Sequence, residues 1–227
     1  MQPYLFPYIG YYQLIGAVDL FIVYDNIKYT KKGWINRNRI LQNGKAVTFS
    51  VPLKKDSDFL DVRDRRLSTD FNRQKLLNRL RGAYERAPCF AQTFPLVEEV
   101  LQQEQENLFE FLRRSIDCVC AKLGITTQIK VSSDIAVDHG LKSQERVLAI
   151  CAALGADTYV NAIGGRALYC AKAFEERGVT LKFIQSKPFQ YDQFGGEFIP
   201  ALSIIDVMMF NSVDAIRNTI ETGYELI

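Results

Sequence analysis

The chain has 227 residues with 28 Lys and Arg against 26 Asp and Glu, and 48% of its residues are hydrophobic. This balance predicts one globular domain and gives no bulk electrostatic case for binding nucleic acid or a membrane surface. No apolar run spans a bilayer, no basic leader opens the chain, and five cysteines beside one histidine disfavour a disulfide framework or a Cys-His zinc site. We therefore expect a reduced, cytoplasmic protein with no metal site.

The chain opens with MQPYLFPYIGYYQLI, a rigid, aromatic and uncharged stretch. We expect Gln2-Pro3-Tyr4 to leave a first strand, Pro7 to Gly10 to form a tight loop, and residues 11–17 to begin a helix. The apolar run at residues 20–24 then reads as a buried strand that ends at Asp25. Open α/β sheets bind ligands at the carboxyl ends of their strands, so the opening loop is predicted to hold a flat substrate.

The middle of the chain predicts a hairpin followed by helices. Asn43-Gly44 stands between two β-rich arms, which is the strongest short-range hairpin signal. Residues 54–68 read as a charged loop. From about residue 70 to 124 the pattern is helical, with a break near residues 103–107.

After residue 125 strands and helices alternate: TQIKVSS, SQERVLAICAALGA, DTYVNA, a helix over residues 169–177, and VTLKFIQ. This alternation favours a parallel sheet with right-handed crossovers. The sequence thus predicts a single α/β domain over residues 1–227, with a parallel-sheet Rossmann-like core, a β-hairpin and a helical insertion at about residues 70–124.

Three stretches are candidates for a site, the first being the opening loop. Its candidate ligand-binding residues are Gln2, Tyr4, Pro7, Gly10 and Tyr11. Gly10 before a helix would let backbone N–H groups approach a phosphate or carboxylate. The alternative is that the aromatic residues are core and the glycine only serves the turn.

The second candidate, YTKKGWINRNRIL at residues 29–41, is basic and aromatic with no acidic residue. Arg37 and Lys32 could hold phosphate or carboxylate, Trp34 offers a face for a base or sugar ring, and Asn36 adds a polar group. A small anionic ligand, a solvated hairpin face and a nucleic-acid patch all remain open, the last weakened by the near-neutral chain.

The third candidate is NAIGGRALY, which follows a predicted strand. Its residues of interest are Asn161, Gly164, Gly165, Arg166 and Tyr169. A glycine pair before a helix can cradle an anion, but the spacing matches neither a dinucleotide fingerprint nor a P-loop, and a structural glycine turn is as common.

Isolated residues complete the set. Asp25 ends a strand, where a catalytic carboxylate would sit, and Asp206 in an apolar helix would need a partner such as Lys or Arg. Ser132 and Ser133 end a strand and could donate to a phosphate. His139 is expected to be a surface residue rather than a catalytic base.

The opening stretch, DLFIVYDNIKYTKKGWINRNRI, NAIGGRALY and FIPALSIIDVMMFN together resemble the WbqC-like protein family over nearly the whole chain. Members usually begin a few residues earlier with a short β-rich lead-in, so the resemblance implies that the first strand is truncated or begins late. The matching residues are Gln2, Tyr4, Pro7, Gly10, Tyr11, Asp25, Trp34, Asn36, Arg37, Asn161, Gly164, Gly165, Tyr169, Ser203, Asp206 and Asn211.

What this resemblance implies is a bacterial, cytoplasmic protein of O-antigen and other surface-polysaccharide biosynthesis. We expect a transferase that acylates or aminoacylates a nucleotide-linked amino sugar, with Asp25 and Lys32 as catalytic residues. Its partners would be the nucleotide-linked sugar and an acyl donor, with no nucleic acid.

The start is also similar to that of the nucleotidylyltransferase superfamily, whose H-x-G-H motif binds ATP phosphates. Here Tyr8-Ile9-Gly10-Tyr11 stands at those positions, so two tyrosines replace the histidines. The alternatives are therefore a nucleotidyltransferase-like enzyme using ATP or CTP with Mg²⁺, and a non-catalytic scaffold of a glycosyltransferase complex.

Overall fold

The computed structural model describes residues 1–227 as a mixed α/β fold with small sheets. The helices are α1 (Ile9–Gly16), α2 (Arg73–Tyr84), α3 (Phe90–Gln102), α4 (Leu108–Leu123), α5 (Ser143–Leu154), α6 (Ala171–Glu175), α7 (Ile204–Phe210) and α8 (Val213–Thr222). The strands are β1 (Leu20–Val23), β2 (Arg37–Gln42), β3 (Lys45–Ser50), β4 (Gln128–Val131), β5 (Thr158–Ala162), β6 (Thr180–Ser186) and β7 (Tyr224–Leu226). No helix is both long enough and apolar enough to cross a membrane.

The predicted parallel strands pair in parallel, but in two separate ladders. Strand β1 pairs with β4, and β5 pairs with β6, whose other edge carries the antiparallel β7. The remaining sheet is the antiparallel pair β2–β3. The parallel pairing is confirmed, whereas a single Rossmann-like sheet stays a prediction because no ladder joins β1 to β5.

The hairpin and the helical break agree with the sequence. Asn43 and Gly44 adopt φ of 52° and 69° between β2 and β3, the positive values that this turn requires. The predicted break falls between the end of α3 at Gln102 and the start of α4 at Leu108. Asn107 begins α4 by accepting a hydrogen bond from the Glu110 N–H, which satisfies one free donor of the first turn.

The opening segment differs from its prediction. The strand expected before residues 2–4 is not formed, and α1 begins at Ile9 rather than at residue 11. Met1 nevertheless pairs with β1, because its amine donates to the Ile22 carbonyl at 2.6 Å and its carbonyl accepts from the Tyr24 N–H at 2.9 Å. This is the hydrogen-bond pattern of a parallel ladder reduced to one residue.

Two hydrophobic cores hold the molecule. The larger has 43 buried residues and includes side chains of the helices α1, α2, α3, α4, α7 and α8 and of the β2–β3 hairpin. The smaller lies among α5, α6 and the strands β5 and β6, and consists of Val147, Leu148, Cys151, Phe174 and Val179. The parallel strands β5 and β6 are therefore supported by a much thinner core than the helices.

Candidate functional site

The opening loop is fixed by contacts with distant parts of the chain. Phe6 has a φ of 41°, a strained value for a bulky side chain. The Asn38 amide donates to the carbonyls of Leu5 and Phe6 at 3.0 and 2.6 Å, and the Ser203 hydroxyl donates to the Phe6 carbonyl at 2.8 Å. The loop is thus held in one shape before any ligand arrives.

The four tyrosines of this stretch divide into two pairs. Tyr4 is half-buried and Tyr8 is 42% exposed, whereas Tyr11 is 2% exposed and Tyr12 is fully buried. The Tyr11 hydroxyl donates to the Gln2 carbonyl at 2.9 Å. Tyr11 and Gln2 therefore stabilise the loop from inside, and the tyrosine rings open to solvent are those of Tyr4 and Tyr8.

Gly10 has a packing role in this loop. A Cβ at this position would lie 2.4 Å from the Tyr8 ring and 2.8 Å from the Ser186 hydroxyl. A larger residue at position 10 would displace the Tyr8 ring, so the glycine sets where that ring lies.

A surface pocket of about 240 Å³ lies beside the loop, and we call it the Trp34 pocket. It is lined by Tyr4, Pro7, Tyr8, Trp34, Asn38, Arg39 and Ala201. Trp34 is 44% exposed, and the guanidinium groups of Arg37 and Arg39 lie 5.6 and 5.5 Å from its ring centre. Arg39 donates to the Ala201 carbonyl at 3.1 Å, and its Nε is buried without a hydrogen-bond partner.

Other residues of the basic stretch shape its backbone. Arg37 donates to the carbonyls of Gly33 and Lys32, and the Asn36 amide donates to the Val51 carbonyl at 2.8 Å. Both side chains therefore hold the loop that presents Trp34. The Lys32 side chain is exposed.

Asp25 lies just past the end of β1, beside the end of β4, and is 3% exposed. It accepts hydrogen bonds from the Ser132 hydroxyl at 2.9 Å and the Ser133 N–H at 3.1 Å, and Arg63 lies 3.7 Å away. Burial by itself would raise the pKa of Asp25, but hydrogen bonds from Ser133 and Ser132 outweigh it and lower the pKa. The carboxylate is thus held ionised, which makes it a weak base.

Next to Asp25 lies a cluster of polar side chains, centred on Asn26 and Arg146, that the sequence did not indicate. Arg146 of α5 is 8% exposed and donates to the carbonyl and the side-chain oxygen of Asn26, which also accepts from Ser132 at 2.6 Å. A guanidinium only donates, so the Asn26 nitrogen must face His139, whose Nδ1 lies 3.1 Å away. Nδ1 then accepts, and Nε2 of the exposed His139 ring carries the proton.

Tyr24 connects this group to the NAIGGRALY turn. The Arg146 guanidinium lies 5.0 Å from the centre of the Tyr24 ring. Burial raises the pKa of Tyr24 to about 12, with Arg146 opposing the shift and Tyr169 adding to it. Arg146 and Tyr169 therefore both influence the pKa of one phenol at the carboxyl end of β1.

The NAIGGRALY turn is stabilised by contacts among its own residues. The Asn161 oxygen accepts from the Ala162 N–H at 2.8 Å, and a Cβ on Gly165 would lie 2.8 Å from the Asn161 nitrogen. Gly164 and Arg166 are exposed. None of these residues lines the Trp34 pocket, so the predicted site residues fall into two groups at different places.

Asp206 of α7 is fully buried in a third polar cluster. It accepts from the Tyr84 hydroxyl at 2.6 Å, the Tyr191 hydroxyl at 2.7 Å and the Gln193 amide at 2.9 Å. The expectation of a Lys or Arg partner is wrong, because two phenols and an amide supply the donors. Burial raises the pKa of Asp206, and the hydrogen bonds from Tyr84, Tyr191 and Gln193 offset that effect only in part.

A protein-family model described as the WbqC-like protein family matches residues 2–218. The chain is also 31% identical over 215 residues to an uncharacterized protein, Rv1507c, of Mycobacterium tuberculosis (strain ATCC 25618 / H37Rv), which covers 93% of this chain and 91% of that relative. No solved structure matches the chain.

Proposed function

Because the chain belongs to the WbqC-like protein family, we propose that it is a cytoplasmic enzyme of bacterial surface-polysaccharide biosynthesis, such as O-antigen assembly. In this proposal it transfers an acyl or aminoacyl group to the amine of a nucleotide-linked sugar. The family match agrees with the resemblance drawn from the opening and C-terminal motifs. The observation that carries the chemistry is the Trp34 pocket, where the guanidinium groups of Arg37 and Arg39 lie 5.6 and 5.5 Å from the ring centre of an exposed indole.

The Trp34 pocket suits the flat, anionic part of such a substrate. The indole face of Trp34 and the ring of Tyr8 can stack on a base, and the guanidinium of Arg39, which also lines the pocket, supplies a positive charge. A volume of about 240 Å³ is below that of a typical drug-sized site, so the pocket would hold a base or one sugar ring. In this proposal Lys32 and Arg37, which flank Trp34 in the chain, would meet the pyrophosphate.

The transfer needs an amine, an activated acyl group and a destination for one proton. The amine nitrogen bonds to the acyl carbon, the leaving group departs with its electron pair, and the amine loses a proton. The lowered pKa of Asp25 suits a positioning role better than general-base catalysis, because it fixes Ser132 and through it Asn26. We retain Asp25 and Lys32 as the residues to test for activity.

We further propose that the ladders β1–β4 and β5–β6 belong to one Rossmann-like core. Asp25 and Asn161 lie at or just past the carboxyl ends of β1 and β5, where such a core binds its ligands. Asn161, Gly164, Gly165, Arg166 and Tyr169 would then contact the part of the substrate that lies outside the Trp34 pocket.

A thermal-shift screen with nucleotides, nucleotide-linked amino sugars and acyl donors tests the proposal. A ligand at about 100 times its Kd adds roughly 2.7 kcal/mol to the free energy of unfolding, which raises the melting temperature visibly. Trp34→Ala is the informative variant because Trp34 forms the pocket wall, whereas Arg37→Ala would also release the loop that presents the indole. Phe59→Ala is the matched control, since this aromatic residue is 81% exposed and lies outside the pocket.

A shift with a nucleotide-linked amino sugar that Trp34→Ala abolishes and Phe59→Ala preserves would support the transferase. A shift with ATP or CTP alone would favour the nucleotidyltransferase alternative. That chemistry would need the residue at position 11 to contact the ATP phosphates, but Tyr11 is buried. No group of three or more His, Cys, Asp and Glu side chains is placed to hold a metal, so Mg²⁺ would have to arrive with the nucleotide. No shift with any compound would leave the scaffold role as the better explanation.

A further inference from the structure

The single histidine of the chain, His139, lies in the loop between β4 and α5, and its ring is exposed. This loop follows the carboxyl end of β4, and Asn26 follows the carboxyl end of the parallel strand β1. Open α/β sheets bind their ligands at that edge. His139 is therefore in a position to meet a ligand, although exposure alone gives it no role.

Buried groups fix one side of the His139 ring. The Asn26 side-chain oxygen accepts from Ser132 and Arg146, so the Asn26 nitrogen donates to Nδ1 of His139 across 3.1 Å. Asn26 and Arg146 are each 8% exposed and Ser132 is fully buried, so the ring is attached to the interior rather than free in solvent. The ring proton is then on Nε2, which makes no hydrogen bond within the protein.

The same cluster carries more positive than negative charge. Arg146 is buried, but it donates only to neutral oxygens and forms no ion pair. The nearby carboxylate of Asp25 lies 3.7 Å from Arg63, so one anion faces two guanidinium groups. Asp138 is next to His139 in the chain, but it is exposed to water and accepts from the Gly140 N–H. A buried cation without an anion of its own favours a negatively charged ligand nearby.

We propose that His139 is an anion-binding residue, whose Nε2–H donates to a phosphoryl or carboxylate oxygen of a bound ligand. Asn26 and Arg146 are positioning residues that hold the ring in the tautomer this contact needs. The tautomer decides the role, because a nitrogen that already carries the proton can donate a hydrogen bond but cannot take up another proton. His139 is thus a donor and not a general base. The proposal requires an anionic ligand and does not depend on the transferase reaction.

The tautomer can be measured directly, because one histidine gives one set of ring-nitrogen signals in an NMR spectrum of isotope-labelled protein. At about pH 8, above the range in which free histidine titrates, we expect a protonated Nε2 and an unprotonated Nδ1. Asn26→Asp is the matched variant, because its carboxylate still accepts from Arg146 but can only accept from the ring. It should place a proton on Nδ1. A proton on Nδ1 in the unaltered protein, or an unchanged spectrum in Asn26→Asp, would overturn the positioning role.

The ligand is tested with pyrophosphate and with acetate, which separate a phosphoryl from a carboxylate ligand. Each is titrated into the full chain by calorimetry and by following the Nε2 signal. His139→Leu removes the donor and should weaken binding by roughly tenfold to a hundredfold, as expected for a hydrogen bond to a charged group. His139→Gln is the control, because its amide N–H reaches about as far as Nε2 and should retain most of the binding. Both variants should fold, since the ring is exposed.

Binding that His139→Leu weakens and His139→Gln retains would support the proposal, and the anion that binds would name the class of ligand. Binding that His139→Leu leaves unchanged would overturn it. Failure of both anions to bind or to move the Nε2 signal would also overturn it.

Discussion

At the carboxyl ends of β1 and β4, Asp25 accepts from Ser132 and Ser133 with Arg63 nearby, whereas in α7 Asp206 accepts from two tyrosines and a glutamine. Both carboxyls are almost completely buried, but the pKa of Asp25 is lowered and that of Asp206 is raised. Three donors are thus enough to place a carboxyl in the core, but they do not by themselves decide its charge.

The difference follows from the surroundings of the two groups. Asp25 lies just past the end of β1, where hydrogen bonds from Ser133 and Ser132 favour its charged form by more than burial opposes it. Asp206 is enclosed by the large core. We propose that a ligand meets the Asp25 region, whereas the Asp206 region serves stability.

The largest effect should come from removing the Asp206 carboxyl. Asp206→Ala leaves the hydroxyls of Tyr84 and Tyr191 without their acceptor in the core, which should cost about 3 kcal/mol or more in the free energy of unfolding. Urea denaturation measures it. Asp206→Asn keeps the shape and one oxygen and should cost clearly less; an equal cost would mean that the charge matters more than the hydrogen bonds.

The Asp25 region should also lose stability when the buried Arg146 is replaced. Arg146→Met leaves the Asn26 carbonyl without a donor and its side-chain oxygen with Ser132 alone, which should cost about 2 kcal/mol. It should also shift the His139 ring signals in an NMR spectrum, because Asn26 would no longer be held in one orientation. Arg177→Met is the control, since this exposed arginine pairs with Glu145 of α5, the helix that also carries Arg146, and its loss should cost less than about 0.5 kcal/mol. Unmoved His139 signals would contradict the proposed link.

Removing one donor from Asp25 should have a smaller effect. Ser132→Ala deletes the hydroxyl that reaches both Asp25 and Asn26 and should cost about 1 kcal/mol. The pKa of Asp25 should rise, because a hydrogen bond to its charged form is lost. An NMR titration of the carboxyl carbon measures this shift, and an unchanged pKa would show that Ser133 and Arg63 alone keep the group ionised.

The smallest effect should be an opposite dependence of the free energy of unfolding on pH in variants of the two carboxyls. Asp25 contributes stability above the ordinary pKa of 3.8 and loses it as the pH falls through its lowered folded-state value, so the cost of Asp25→Asn should grow with pH. Asp206 contributes most below 3.8 and loses that contribution as the pH rises through its raised folded-state value, so the cost of Asp206→Asn should shrink. Denaturation of both variants between about pH 3 and 7 checks the signs; equal slopes would remove the contrast between the two regions.

Local features of the fold could be predicted from the sequence because their causes are local. Asn43-Gly44 specifies its hairpin through the φ values that it allows. The helical pattern that ends at Gly124 is long for one helix, and the chain breaks between α3 and α4, near residues 103–107 as predicted. The basic and aromatic residues around Trp34 also lie close together, since they occupy one hairpin arm.

Other parts of the site depend on residues far apart in the chain. Arg146 and His139 reach Asn26 across 120 and 113 residues, and no local pattern distinguishes a buried arginine of α5 from a solvated one. The burial of Tyr11 could not be predicted either, because Tyr4, Tyr8 and Tyr11 are the same residue type. Only the orientation of α1 in the fold decides which of these rings is buried.

The way in which the opening loop is held has a consequence for the order of synthesis. The Phe6 carbonyl accepts from Ser203, the Pro7 carbonyl accepts from the Ile204 N–H, and Gln13 donates to the Thr219 carbonyl. These partners are among the last to leave the ribosome, although the loop is among the first. The Trp34 pocket, which Ala201 also lines, can therefore close only when translation is nearly complete, so a nascent chain stalled before residue 200 should carry the hairpin but not the finished pocket.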